Sequence, residues 1–168
     1  MTARKDAIEE ARFLALYEAN LQPLRRYVLR VLGNAALADD VVQECFVRAL
    51  TAANLPEAPE QARAYIFRIA SNIIVDRWRR RKQEIPLDAA TIQPSLGEDA
   101  ALRLDLGRIF AMLSAKERQL IWLAFVEGFD HPAIADQLGV RPQSVKVLLF
   151  RAREKFAALL RRSGYDEG

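Results

Sequence analysis

Apolar residues recur along this chain at spacings of three and four, and no stretch alternates at period two for long enough to make a strand. The pattern predicts an all-α fold. Leu14, Tyr17, Leu21, Leu24, Val28, Val31 and Leu32 form the stripe of a first helix over about 7–32, which Gly33-Asn34 stops. A second helix over about 36–53 turns Val42, Cys45, Phe46 and Ala49 inward and leaves Asp40, Gln43, Glu44 and Val47 on its other face. A loop with Pro56 and Pro59 follows. The third helix, over about 60–82, carries Ile66, Ile69, Ala70, Ile73 and Ile74 at helical spacing. These three helices can bury a common core, which predicts a domain over 7–82.

Residues 83–104 break the pattern. Pro86, Pro94 and Gly97 punctuate a polar, acidic segment. A structureless loop of that length is unusual inside a compact domain, so the segment reads as a flexible linker between two small helical domains. The second covers 105–163, with helices expected at about 105–112, 115–127, 131–138 and 142–162. Ser114 and Glu117 have the spacing of a capping box, and Gly128 ends that helix.

Residues 131–150, HPAIADQLGVRPQSVKVLLF, meet the requirements of a helix-turn-helix. Ala135 is the small residue where the helices cross, and Gly139 sits in the turn. Ile134, Leu138, Val140, Val145 and either Leu148 or Leu149 are the apolar anchors. Pro142 suits the first turn of the second helix. Such a motif places its second helix in the DNA major groove. The polar positions there are Arg141, Gln143, Ser144 and Lys146, followed by Arg151 and Arg153.

Charge changes the picture most at the end of the third helix. The net charge of the whole chain is only +3, but residues 63–82 carry seven cations and one anion. Residues 83–105 carry one cation and five anions, so basic and acidic blocks alternate and suggest separate surfaces for separate partners. Arg77, Arg79, Arg80, Arg81 and Lys82 crowd five positive charges into six positions around Trp78. One or two cations would suit the helix dipole; five like charges on a rigid support suit a polyanion better. At about 100° per residue, Arg68, Asn72 and Arg79 fall opposite the apolar side, with Asp76 beside them. Arg and Asn pair well with base edges and phosphates, and an Asp can hold Arg rotamers by charge-assisted hydrogen bonds. Trp78 borders the apolar stripe and is expected to pack.

Composition narrows the remaining classes. Half of the 168 residues are hydrophobic, enough for a real core. Cys45 is the single cysteine and lies on an apolar stripe, so it reads as a buried structural thiol. With His131 as the single histidine, no dedicated zinc site is expected, and no cofactor. No apolar run approaches a membrane span and no signal peptide opens the chain, which predicts a cytoplasmic protein without membrane insertion. The chain ends shortly after the last helix, so no further regulatory domain is expected there. There are no paired carboxylates in a motif, no phosphate-binding glycine loop and no nucleophile with a base, so no enzymatic activity is expected.

Together these features resemble the extracytoplasmic-function (ECF) sigma factors of the sigma-70 family, over about 12–162. Four stretches carry the resemblance: LADDVVQECFVRAL (37–50), RAYIFRIASNIIVDRWRRRK (63–82), LSAKERQLIWLAFVEGF (113–129) and IADQLGVRPQSVKVLLFRAREKF (134–156). The resemblance implies that Asp39, Asp40, Gln43, Glu44 and Val47 meet the clamp helices of core RNA polymerase. It implies that Asn72, Asp76, Arg77, Arg79 and Arg80 act at the minus-ten element of promoter DNA, where cations hold a melted strand and a pocket in the 54–62 loop captures an extruded base. That loop, NLPEAPEQA, has no aromatic for stacking. The linker would thread toward the polymerase active centre, and an anti-sigma factor would be a further partner. Leu37, Ala38 and Leu50 of the second helix depart from the family's usual residues, and a larger departure lies in the helix-turn-helix. After Val145-Lys146, where polar and basic residues are usual, stand Val147, Leu148, Leu149 and Phe150. This predicts weak recognition of the minus-thirty-five element, or a protein-binding patch. Two other classes stay open on the sequence: a stand-alone helix-turn-helix regulator, and a sigma-like decoy that sequesters an anti-sigma factor.

Overall fold

The computed structural model describes residues 2–84 and 100–165, with side chains described for 2–80 and 105–165. The acidic segment of the expected linker lies largely outside the described residues. Seven α-helices follow in order: α1 Thr2–Leu32, α2 Ala35–Thr51, α3 Pro59–Glu84, α4 Ala100–Ala111, α5 Ala115–Ile121, α6 His131–Leu138 and α7 Pro142–Arg162. A π-helical stretch, Trp122–Val126, extends α5. The described residues contain no strand.

Local chemistry sets most of the ends. Gly33 takes a left-handed conformation (φ 70°) that closes α1. Asn34 then caps α2, its side chain accepting from the Leu37 N–H at 3.1 Å. Ser114 and Glu117 form the full capping box, with bonds of 3.2 and 2.9 Å. Asp130 caps α6 through the Ala133 N–H, and Gly139, at φ 65°, makes the helix-turn-helix turn. Two boundaries differ from the periodicity. Helix α1 begins at Thr2, and α4 begins at Ala100, inside the segment read as linker.

The expected α-helix over 115–127 also changes character at Trp122. The Glu127 N–H bonds to the Trp122 carbonyl, five residues back, so the turn holds one extra residue. The Trp122 indole N–H reaches the Glu127 carboxylate at 3.2 Å and supports this wider turn. The register shift leaves Phe125 and Val126 exposed.

Helices α1, α2 and α3 pack as a three-helix unit around Leu24, Tyr27, Val28, Val41, Cys45, Ile66 and Ala70. Leu14 and Tyr17, placed on the buried stripe by periodicity, are exposed instead. The apolar side of α1 is wider than the surface its partners cover, and Tyr17 borders a groove. The helix-turn-helix unit buries Leu120, Leu123, Ile134, Ala135, Val145 and Leu149, and these residues join the core of the first unit as one continuous cluster. A smaller cluster of Phe110, Leu113, Ile121 and Ala152 lies beneath α7.

The contact between units is close. Phe67 and Phe129 meet edge to face at 5.3 Å. The Arg118 guanidinium donates to the Ala111, Leu113 and Val31 carbonyls. Two of these lie at the C-terminal ends of α1 and α4, where unpaired carbonyls attract a cation. Burial lowers the Arg118 pKa from its ordinary 12.5, and the Glu117 carboxylate opposes that shift.

Candidate nucleic-acid interface

Helix α3 is clasped on two sides. Ile66, Ala70 and Ile73 are buried among the first three helices, Ser71 bonds to Tyr27 of α1, and α6 with the Phe129 that precedes it approaches from the other side, against Phe67. The remaining side faces solvent and carries Arg68, Asn72, Asp76 and Arg79, with Arg80 next to them, all exposed. Their support is therefore rigid, and their spacing of three to four residues sets them in a row along the helix. The backbone of Arg81 and Lys82 continues α3, while their side chains lie outside the described residues. Trp78 is partly buried against the core.

Two of the candidate DNA residues on α3 have ion-pair partners within the protein. Arg77 is half-buried and turned toward α2, where its guanidinium meets Glu44 at 3.2 Å. Arg68 lies 3.6 Å from Asp136 of α6. Asp76 forms no ion pair among the described residues, so the expected clamping of neighbouring arginines by Asp76 is not seen.

The second basic surface is the outer face of α7. Arg141 precedes the helix, and Gln143, Lys146, Arg151 and Arg153 are exposed, while Ser144 is half-buried. The apolar segment is narrower than the sequence suggested. Leu149 is buried and Leu148 half-buried, so only Val147 and Phe150 reach the surface. The Arg153 guanidinium lies 5.3 Å from the exposed Phe125 ring, a cation–π contact that extends this mixed apolar and basic surface.

A third surface lies on α2. Asp40, Gln43 and Val47 are exposed, and Val47 shows 54% of its area. Asp39 is held by Arg25 at 2.8 Å, and Glu44 is shared between Arg48 and Arg77. Beside them runs an apolar groove lined by Phe13, Tyr17, Phe46, Val47 and Leu50. Tyr17 and Leu50 are functional candidates the sequence reading missed. Their exposure was the missing signal, since a stripe shows which side is apolar but not what covers it.

The loop between α2 and α3 borders a recess lined by Arg12, Asn20, Pro56, Glu57 and Arg63. Arg12 donates to the Leu55 carbonyl at 3.4 Å and helps hold the loop. No group of three or more His, Cys, Asp or Glu that could hold a metal occurs among the described residues. No described helix is long and apolar enough to cross a membrane.

These surfaces coincide with known sequence families. Residues 16–84 match Sigma-70 region 2, and residues 103–156 match Sigma-70, region 4. The ECF RNA polymerase sigma factor SigL of Mycobacterium tuberculosis is 34% identical over 167 residues, covering 94% of each chain. Among solved structures, the sigma factor RpoE in complex with the anti-sigma factor NepR, from Bartonella quintana, shares the fold with a TM-score of 0.71. It is 24% identical over 89% of this chain and 96% of that one. CnrH in complex with the cytosolic domain of CnrY gives a TM-score of 0.62 and 29% identity, over 89% of this chain and 88% of that one.

Proposed function

This chain belongs to the extracytoplasmic-function sigma factors of the sigma-70 family, and we propose on that footing how its surfaces divide the work. A member of this family binds core RNA polymerase and directs promoter-specific initiation, recognising promoter DNA and helping to melt it. It is not an enzyme, because the polymerase it joins supplies the chemistry.

In our reading the unit over 7–82 binds core polymerase and reads the minus-ten element. Residues 83–104 are the connection, and 105–163 read the minus-thirty-five element. Asp40, Gln43 and Val47 on α2, with Asp39 and Glu44 behind their ion pairs, meet the polymerase. The apolar groove beside them takes part of the same partner. Asn72, Asp76, Arg79 and Arg80 face the separating strands, and Arg81 and Lys82 continue the cationic run along the phosphates. Arg77 positions α3 on α2 through Glu44. The recess beside the α2–α3 loop, with Arg12, Asn20 and Arg63 on a largely apolar wall, takes an extruded base in this reading. Arg141, Gln143, Ser144, Lys146, Arg151 and Arg153 meet the upstream duplex. The single observation that carries this division is the exposed Arg68–Asn72–Asp76–Arg79 row on a helix buried along its other sides.

An anti-sigma factor is the third partner in this reading. Support comes from the relative solved with NepR, and the exposed Val147, Phe150 and Phe125 offer an apolar surface for such contact. Core polymerase and promoter DNA place the work in the cytoplasm. Run-off transcription with core polymerase on a genomic promoter library tests the assignment, and failure to support any initiation refutes it. A gel shift separates the regulator alternative, since tight duplex binding without core polymerase would favour it.

A further inference from the structure

Two apolar side chains stand in the middle of the face that α7 turns to solvent. Val145, Leu149 and Ala152 are buried and fasten the helix to its unit. At about 100° per residue, Gln143, Val147, Phe150 and Arg151 leave the helix on the opposite side, and all four are exposed. Lys146 stands at the edge of the same face. Val147 keeps 49% of its area in solvent and Phe150 keeps 63%. Val147 follows Gln143 by one turn and Phe150 follows Val147 by three residues, so the three side chains are neighbours in a row.

The major groove gives such a row a definite chemistry. The start of the second helix of a helix-turn-helix lies against base edges there. Glutamine pairs with N6 and N7 of adenine, and the C5 methyl of thymine is the one methyl group that a base pair offers. Valine has neither donor nor acceptor. Packed on cytosine, it leaves the free N4–H without an acceptor, which is unfavourable. Packed on thymine, it covers a methyl, and burying one methyl raises affinity about fourfold. The branched valine side chain is stiff about χ1, so little rotamer freedom is lost in the contact. Lys146 and Arg151 flank the row, where cations can hold the phosphates and fix the register of the helix.

We propose that Val147 is a specificity-determining residue of the upstream reader: it selects thymine in the minus-thirty-five element through the C5 methyl, beside an adenine paired by Gln143, while Phe150 screens the contact from water. The proposal deepens the sigma-factor reading above and rests on it. It gives the apolar departure in α7 a role in sequence choice. A methyl contact stands where a polar contact is usual, so the upstream element is held weakly but is still chosen by its bases. A row that served protein contact alone would be indifferent to the methyl groups of the promoter.

Deleting single methyl groups from the DNA tests this contact. Promoters are selected by the wild-type chain with core polymerase from a library randomised in the upstream element. Each thymine of the selected element is then replaced in turn by deoxyuridine, which removes the C5 methyl and keeps every hydrogen-bonding group. Affinity is read by fluorescence anisotropy of the labelled promoter with the holoenzyme. At one position deoxyuridine should weaken wild-type binding about fourfold, and cytosine should weaken it further. The same deoxyuridine should leave binding by the Val147→Ser holoenzyme unchanged. Lys146→Ala should weaken binding to all these promoters alike and keep the methyl effect, as a phosphate contact does. Deoxyuridine without effect at every thymine overturns the proposal and leaves the row as a protein-binding patch. A methyl effect that survives Val147→Ser overturns it too, as does a selected element that contains no thymine. If core polymerase initiates from no promoter with the wild-type chain, the sigma reading fails by itself. The same substitutions in a duplex selected by the full chain alone then decide the methyl contact, and selection of no sequence overturns it.

Discussion

Glu44 of α2 and Arg77 of α3 face each other at 3.2 Å, joining the helix assigned to polymerase to the helix assigned to the minus-ten element. Each side chain keeps about a third of its area in solvent, and Glu44 is also held by Arg48. A pair this exposed contributes little by itself, about 0.2–1 kcal/mol. A double-mutant cycle with Glu44→Ala and Arg77→Ala, read by urea unfolding, should return a coupling in that range. In transcription, Arg77→Ala should lose less activity than Arg79→Ala, because Arg77 works through the helix pair.

Val47 stands among polar neighbours with its side chain uncovered. Val47→Asp should weaken core polymerase binding by roughly tenfold, about 1.4 kcal/mol, while leaving the thermal midpoint within a degree or two of the wild type. A fluorescence titration of labelled sigma with core polymerase reads the first effect, and calorimetry reads the second. A large fall in the midpoint would mean that Val47 packs in the free chain.

The two promoter readers are unequal. The α3 row is polar along its exposed length, whereas α7 presents Val147 and Phe150 within its basic face. Losing one Arg contact to a base or phosphate costs about 1–3 kcal/mol. Arg79→Ala should therefore reduce run-off about tenfold or more, and Arg151→Ala less than about threefold. Strong footprinting protection at the minus-thirty-five element, abolished by Arg151→Ala, would reverse that ranking.

The capping box and the turn of the helix-turn-helix make separable contributions to stability. Ser114→Ala removes an N-cap bond at the start of α5 and should cost about 1 kcal/mol. Gly139→Ala meets no neighbouring atom, but it forces a side-chain-bearing residue to φ 65°, at a cost of about 1–2 kcal/mol. Urea unfolding of each variant and of the double variant should show nearly additive losses if the two sites act independently.

Alkaline pH should loosen the fold. Burial pushes the Cys45 thiol from its ordinary 9.0 up to about 12, partly offset by a backbone hydrogen bond from Ala70 and by the Arg48 charge. Burial also raises the Tyr27 phenol above its ordinary 10.0, against the hydrogen bonds of Ser71 and Gln119. Both groups are neutral when folded at a pH where the unfolded chain would ionise them. Their contribution is fully present below about pH 9 and is lost as pH rises toward 12. The urea midpoint should hold near pH 8 and fall by pH 11. At pH 8 a thiol reagent should leave Cys45 unmodified until the chain unfolds.

Much of this protein was legible without coordinates, because much of it is local. A helix closes its hydrogen bonds within four residues. The capping box at Ser114, the Gly33 stop and Gly139 turn, and the helix-turn-helix anchors are therefore all short-range facts. So is the exposed row on α3, since helical spacing alone separates Arg68, Asn72, Asp76 and Arg79 from the isoleucines. The resemblance of the four quoted stretches to the ECF sigma factors was visible in the same way.

What the tertiary structure decided lies between residues far apart in the chain. Periodicity gave α3 one buried side, yet α3 has two, because the helix-turn-helix unit packs onto Phe67. Leu14 and Tyr17 belong to an apolar stripe but stay exposed, and Tyr17 lines an open groove beside Phe46 of α2. The pairing of Glu44 with Arg77 and of Arg68 with Asp136 removed charges that a helical wheel had left free. A wheel records the direction in which a side chain leaves its own helix. Which other surface arrives there depends on how loops and linkers return the chain, and that is a property of the folded whole.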